Sequence, residues 1–172
     1  MLEAEISDHP DVIAIQETWL NNSHSDEDLK IDGYTIVRSD RVGRIGGGVA
    51  MYLSDRVGWS SPIIPTIEGV EYICVVCQIG HKKSRICNIY RPDSPVSWLD
   101  KFQLLLEFMS DINFDLIVVG DFNIDFLNQT SSKSLKNLLN SYDVTQHVEL
   151  PTRSTANSSS CIDVFITRNS NS

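Results

Sequence analysis

Runs of apolar residues that break abruptly into polar ones organise this chain. Leu116, Ile117, Val118 and Val119 form an unbroken apolar run, the pattern of a strand covered on both faces. Gly120 then allows the backbone to leave the sheet, and Asp121 and Asn123 follow around Phe122. Open α/β sheets place their chemistry at the C-terminal ends of such strands. A carboxylate and a carboxamide two residues apart can hold an attacking water and a phosphate oxygen in one pocket. The same residues also fit a plain Asx-turn exit from a strand. Residues 12–15 read as a second buried strand that delivers Gln16, Glu17, Thr18 and Trp19 at its end. Further strands are predicted at residues 34–38, 49–53, 72–79, 84–90 and 162–167, with the 72–79 and 84–90 pair forming an antiparallel hairpin.

Two segments carry helical spacing instead. Trp98, Phe102, Leu105, Leu106 and Met109 form one stripe, with Ser97 as its cap. Leu135, Leu138, Leu139 and Tyr142 form the other. Leu2 and Ile6 fit the last turns of a helix that Pro10 ends, and Pro92 and Pro95 stop the strand before Ser97. Gly46, Gly47 and Gly48 lead into a strand and not a helix, which excludes a P-loop. Strands with helices between some of them predict an α/β fold of two packed sheets with helices outside.

The chain has 172 residues, 41% of them apolar, which suits one domain with a real core. No apolar run approaches the length of a membrane span, and the acidic N-terminus lacks the order of a secretion signal, so an intracellular home is expected. A net charge of −9 disfavours gripping nucleic acid by bulk charge. It leaves open a nuclease in which a bound cation inverts the local field. The basic residues around Lys82, Lys83 and Arg85 read as a solvated loop, and Arg38, Arg41 and Arg44 form a second small cluster. Cys74 and Cys77 have metal-like spacing, but in a strand that offset puts them on opposite faces. All four cysteines (Cys74, Cys77, Cys87 and Cys161) are expected to be reduced and mostly buried.

Several strands thus end in polar residues of one chemical kind: Glu17 after Ile15, Tyr90 after Ile89, Asp121 and Asn123 after Val119, and Asp163 after Ile162. Together they offer what phosphodiester cleavage needs. One carboxylate can anchor a hard cation that keeps most of its waters, a polar pair can position a water, and a phenol can donate to the phosphate.

On these residues the sequence resembles the endonuclease/exonuclease/phosphatase superfamily, whose fold is that of deoxyribonuclease I. Within it, the sequence is most similar to the endonuclease domains of non-LTR retrotransposons. The matching stretches run in the family's order over nearly the whole chain. They are residues 10–19 (PDVIAIQETW), 46–50 (GGGVA), 88–92 (NIYRP), 120–123 (GDFN), 151–153 (PTR) and 160–163 (SCID). The resemblance implies a deoxyribonuclease-I-like α/β sandwich of two mostly antiparallel sheets flanked by helices. It also implies Mg2+ (or Mn2+) as cofactor, with Glu17 as its ligand. Asp121 would align or deprotonate the attacking water, Asn123 would orient water and phosphate, and Tyr90 would bind the scissile phosphate. Thr152 and Arg153 would face DNA, and Asp163 would orient a catalytic histidine.

The sequence also departs from the family. Its first strand, which carries a metal-site asparagine, and its last, which carries Ser-Asp-His, have no counterpart here. Residues 1–172 therefore read as one incomplete domain, truncated at both ends. Ser7-Asp8-His9 repeats the missing tripeptide, but His9 precedes Glu17 by eight positions, roughly 26 Å along an extended strand. His24, His81 and His147 fall in or near loops. The expected activity is metal-dependent nicking of DNA to prime a reverse transcriptase encoded in the same polyprotein, in the nucleus, and weak or absent in this chain. Losing a positioned acid–base group costs about 10²–10⁴-fold in rate. The competing expectation is a non-enzymatic relic that binds DNA or protein, or associates through an exposed sheet edge. No membrane partner is expected.

Overall fold

The structure, a computed structural model, describes residues 9–79, 81–92 and 97–168. The turns predicted around Leu2 and Ile6, and Pro95, lie outside the described residues. Eleven strands and two helices follow in order: β1 Val12–Gln16, β2 Tyr34–Ser39, β3 Val49–Ser54, β4 Trp59–Ser60, β5 Glu71–Ile79, β6 Lys82–Tyr90, α1 Trp98–Met109, β7 Asp115–Asp121, α2 Gln129–Ser141, β8 Val144–Gln146, β9 Arg153–Ser154, β10 Ser159–Ser160 and β11 Asp163–Arg168.

These make a three-stranded sheet in the order β1-β3-β2, a six-stranded sheet in the order β4-β5-β6-β7-β11-β8, and a small β9/β10 ribbon. Every pairing is antiparallel except that of β6 with β7. A parallel pair needs a crossover, and α1 provides it.

Side-chain alternation on β5, β6 and β7 splits the apolar residues into two layers. Val49, Met51 and Leu53 of β3 meet Ile73, Val75, Cys77 and Ile86 between the two sheets. On the other face, Cys74, Cys87, Ile89, Leu116 and Val118 meet Phe102, Leu105, Leu106 and Met109 of α1 and Leu135 and Leu139 of α2. Trp98 stacks on Phe102, and both rings meet the edge of Phe122, at centroid separations of 4.9 to 5.1 Å. Phe122 thus ties the apolar core to the loop between Asp121 and Asn123. Both described helices lie on the outer face of the six-stranded sheet, giving the predicted mixed α/β sandwich. No helix among the described residues is long and apolar enough to cross a membrane.

The structure corrects several local expectations. β1 is half-buried: among the described strands it sits at the edge of its sheet and pairs with β3 alone. Gly120 does not end its strand: β7 continues through Asp121, and Gly120 lies where the backbone of Ile89 comes close. Ser97 stands at the start of α1 in a left-handed conformation and makes no side-chain cap; Asn128 caps α2 by accepting from the amides of Thr130 and Ser131. Arg85 is buried, not solvated, donating 2.9 Å to the Phe108 carbonyl and lying against the rings of Phe108 and Phe114. Arg38 and Arg41 are likewise held by carboxylates rather than exposed as a basic patch.

Cys74 and Cys77 do face opposite layers, and all four cysteines are free and buried. Burial pushes the Cys77 thiol up to about 11, and burial also raises Cys87. Ellman's reagent is therefore expected to label none of them in the native protein within minutes and all four on unfolding. Rapid native labelling of the register-paired Cys74 and Cys87 would show that the β5/β6 hairpin opens readily.

Candidate active site

Register lines up the polar strand ends. Glu71 of β5 pairs with Tyr90 of β6, Tyr90 with Asp121 of β7, and Asp121 with Asp163 of β11. Paired residues on neighbouring strands project to the same face. Four ionisable side chains therefore cross the six-stranded sheet in one row, on the face toward the three-stranded sheet. Tyr90 is part of the apolar layer between the sheets, so the row closes the end of that layer.

Glu17 comes to this row from the other sheet. It follows β1, and its carboxylate accepts the hydroxyl hydrogen of Tyr90. Burial pushes the Tyr90 phenol up to about 12, with the hydrogen bond and charge of Glu17 adding to the shift and the Arg41 guanidinium opposing it. The turn after Glu17 is costly: Glu17 and Trp19 have φ values of 51° and 58°, each strained by about 1–2 kcal/mol. Backbone bonds from Thr18 and Trp19 to the carbonyls of Gly48 and Gly47 hold it in place.

The second half of the row is set by a tight turn. The Asp121 carboxylate accepts the Asn123 amide at 2.9 Å, an Asx turn, and Asn123 sits at φ 47°. The carboxamide of Asn123 donates 2.9 Å to the Arg91 carbonyl. The plain Asx-turn reading of this motif is thus realised, with the Asp121 carboxylate as the turn's acceptor. Asp121 is half-buried, and its carboxyl is pushed up to about 6, chiefly by burial. The charges of Asp163 and Glu17 add to this, while the Asn123 amide and Arg153 oppose it. Glu17, Asp163 and Arg153 therefore all lie within electrostatic reach of Asp121. Thr152 accepts from the amides of Ile162 and Asp163, both at 3.2 Å, and so braces the entry to β11.

Among the described residues, no histidine bonds to Asp163. His147 contacts Thr167, His24 closes its own turn with Asn21, and His9 offers its carbonyl to Arg56. None of the described Asp, Glu, His or Cys residues form a group of three or more arranged around a shared metal position.

Three contributors escaped the sequence reading. Asn88 is fully buried one level below the row, where its amide donates to the carbonyls of Ile15 and Ala50 and its oxygen accepts from Gln16. It stitches the two sheets together directly beneath Glu17. Its signal was a polar residue inside the apolar run 86–90. Glu71 and Arg41 form the other missed pair, joined at 2.6 Å with Arg41 over the Tyr90 ring. Nothing in their local sequence marks them, because they meet only in the fold.

The two sheets bring Glu17, Tyr90, Asp121 and Asp163 together at one end of the layer between them, in a domain of nuclease and phosphatase type. The chain belongs to the Endonuclease/Exonuclease/phosphatase family, whose sequence model matches residues 2–171. Among solved structures, the chain is similar to the endonuclease domain of TRAS1, a telomere-specific non-LTR retrotransposon. Identity is 16% and the TM-score 0.67, over 91% of this chain and 72% of that one. It is also similar to D. rerio TDP2 complexed with a single-strand DNA product, at 15% identity and TM-score 0.65, over 94% and 72% of the two chains. A third such structure is the 3′-5′ exonuclease NExo from Neisseria meningitidis, at 19% identity and TM-score 0.63, over 92% and 77%.

Proposed function

We propose that this domain is a metal-dependent phosphodiesterase that acts on DNA, in the manner of a retrotransposon endonuclease. The observation that carries the proposal is the convergence of Glu17 from one sheet onto the Tyr90–Asp121–Asp163 row of the other. The donor set suits a hard cation: oxygen ligands only, few in number, where the carboxylates of Glu17, Asp121 and Asp163 come near one another. Mg2+ held through Glu17 would keep most of its waters and would neutralise charge on a phosphate oxygen; Mn2+ would substitute.

The chain's own residues then have defined tasks. Asp121 aligns the attacking water and takes its proton. Asn123 orients that water and the phosphate through its free carbonyl oxygen. Tyr90, whose hydroxyl donates to Glu17 here, would donate to a phosphate oxygen if Glu17 held the cation. The charge of Asp163 raises the proton affinity of Asp121 beside it, and Arg153 and Thr152 flank the DNA path. Exposed Trp19, Val42 and Ile45, together with Arg44, add a rim that suits a partly unstacked nucleic acid. Action on chromosomal DNA, beside a reverse transcriptase, would put the protein in the nucleus.

With no described histidine on Asp163, the 172-residue polypeptide is expected to nick supercoiled plasmid slowly in Mg2+, about 10²–10⁴-fold below a domain with the full acid–base set. Glu17→Ala is expected to abolish that residue of activity. Fast nicking would refute the slow reading. DNA retention without any metal-dependent cleavage would favour a binding module, and phosphate release from a phosphoinositide in place of nicking would favour a phosphatase.

A further inference from the structure

Glu71 and Arg41 have no place in the chemistry above, yet they occupy the open end of the same row. Glu71 is the register partner of Tyr90 on β5. One of its carboxylate oxygens accepts from Arg41 Nε at 2.6 Å, and the other accepts from the backbone amide of Gly48 at 2.7 Å. Both side chains are largely withdrawn from solvent, at 12% and 16% exposure. An ion pair this buried must recover a large desolvation cost, and it contributes little net stability. Its geometry therefore points to a positioning role.

That geometry runs in two directions, and both end at Glu17. The guanidinium lies 5.5 Å from the centre of the Tyr90 ring, and the hydroxyl of that ring is bonded to Glu17. On its other side the guanidinium packs directly under Gly47, where a Cβ would stand only 2.1 Å from Cζ and Nη2. Gly47 has φ 71° and Gly48 φ 81°, so both space and backbone demand glycine there. The carbonyls of these two glycines accept the amides of Trp19 (2.9 Å) and Thr18 (3.3 Å), the two residues immediately after Glu17. The glycine run is thus the rigid link between a buried guanidinium and the strained turn that aims the Glu17 carboxylate.

We propose that Arg41, fixed by Glu71, is a positioning residue for the Glu17–Tyr90 half of the site. It clamps the 46–48 loop from beneath and the Tyr90 ring from the side, so that Glu17 is presented to a cation and Tyr90 to a phosphate. This rests on the phosphodiesterase reading, with Glu17 as the cation's protein ligand. Lysine at position 41 would keep the charge but lose the planar fork that contacts Glu71, Gly47 and Tyr90 together. Glutamine at position 71 would keep the size and one acceptor but lose the ion pair.

The test is Mn2+ binding, followed by electron paramagnetic resonance on the full 172-residue chain, alongside thermal melting. Wild type is expected to bind Mn2+ and Glu17→Ala to lose that site. Arg41→Lys and Glu71→Gln are expected to weaken it by about 10–100-fold, the usual effect of removing a group that orients a metal ligand. A pair that serves stability alone would lower the melting temperature of both variants and leave Mn2+ affinity unchanged. Wild-type affinity in an Arg41→Lys or Glu71→Gln protein that still melts cooperatively overturns the inference by itself. Mn2+ binding that ignores Glu17→Ala overturns the metal reading, and this inference with it. Arg41→Lys, which retains the positive charge beside Glu71, keeps the test available where Glu71→Gln fails to fold.

Discussion

Gly120→Ala is expected to destabilise the domain more than any other single-methyl change in it. A Cβ on Gly120 would lie 1.8 Å from the Ile89 carbonyl oxygen and 2.8 Å from its carbonyl carbon. Both are backbone atoms, so no rotamer change can relieve the clash. Ile89 is fully buried, and β6 is fixed on its other side by a continuous ladder to β5. The strands β6 and β7 must then part at the level just below Tyr90 and Asp121. Overpacking typically costs about 1–3 kcal/mol, and a backbone neighbour puts this case at the upper end or beyond. For a domain of this size that is a fall in melting temperature of roughly 6–12 °C. Thermal unfolding followed by circular dichroism checks it, with Gly58→Ala as the silent control, since a Cβ at Gly58 meets nothing within 4 Å. Equal melting temperatures for the two variants would show that the β6–β7 approach is not tight in solution.

Gly120 also shows where reading the sequence worked and where it stopped. Its position at the end of an apolar run was plain, and so was the Asp–x–Asn motif after it. The reason a glycine stands there was not, because it depends on the backbone of Ile89, 31 positions earlier in the chain. Long strands and both helices were legible because each buries a face, and burial imposes a period of two or 3.6 residues. The strands β4, β8, β9 and β10 have only two or three residues, too few for any period to show. The same division runs through the candidate site. Glu17, Tyr90, Asp121, Asn123 and Asp163 each end or begin an apolar run, so a local pattern exposed them. Asn88 stood inside such a run, and its role depends on Gln16, Ile15 and Ala50, which only the fold brings to it. Arg41 and Glu71 belong to a loop and a strand start, and they became a pair only when β5 was laid against the 46–48 loop.

Asp121→Asn is expected to move stability and activity in opposite directions. In the metal-free protein the Asp121 carboxyl is pushed up to about 6, by burial first and then by Asp163 and Glu17. An unfolded aspartate titrates near ~3.9. The fold therefore holds the proton more tightly than the unfolded chain does. The resulting stabilisation is complete below about pH 4, and it is lost as the pH rises through about 6. At pH 7.5 the folded protein carries an ionised group in a setting that disfavours charge. Asparagine has the same shape, can still accept the Asn123 amide, and carries no charge. After allowance for solvent screening of a half-buried group, the gain at pH 7.5 is about 1 kcal/mol. Urea unfolding of both proteins without metal, at pH values from 4 to 7.5, should show the variant's advantage growing with pH and vanishing near pH 4. Parallel pH profiles would mean that Asp121 titrates normally. Nicking should respond the other way, with the slow Mg2+-dependent rate falling by about 10²–10⁴-fold as the proton acceptor is lost. A variant that gains stability and loses cleavage marks Asp121 as a group held against the preference of the fold. One that gains stability and still cleaves would return the GDFN motif to its simpler reading, an Asx turn at the end of a strand.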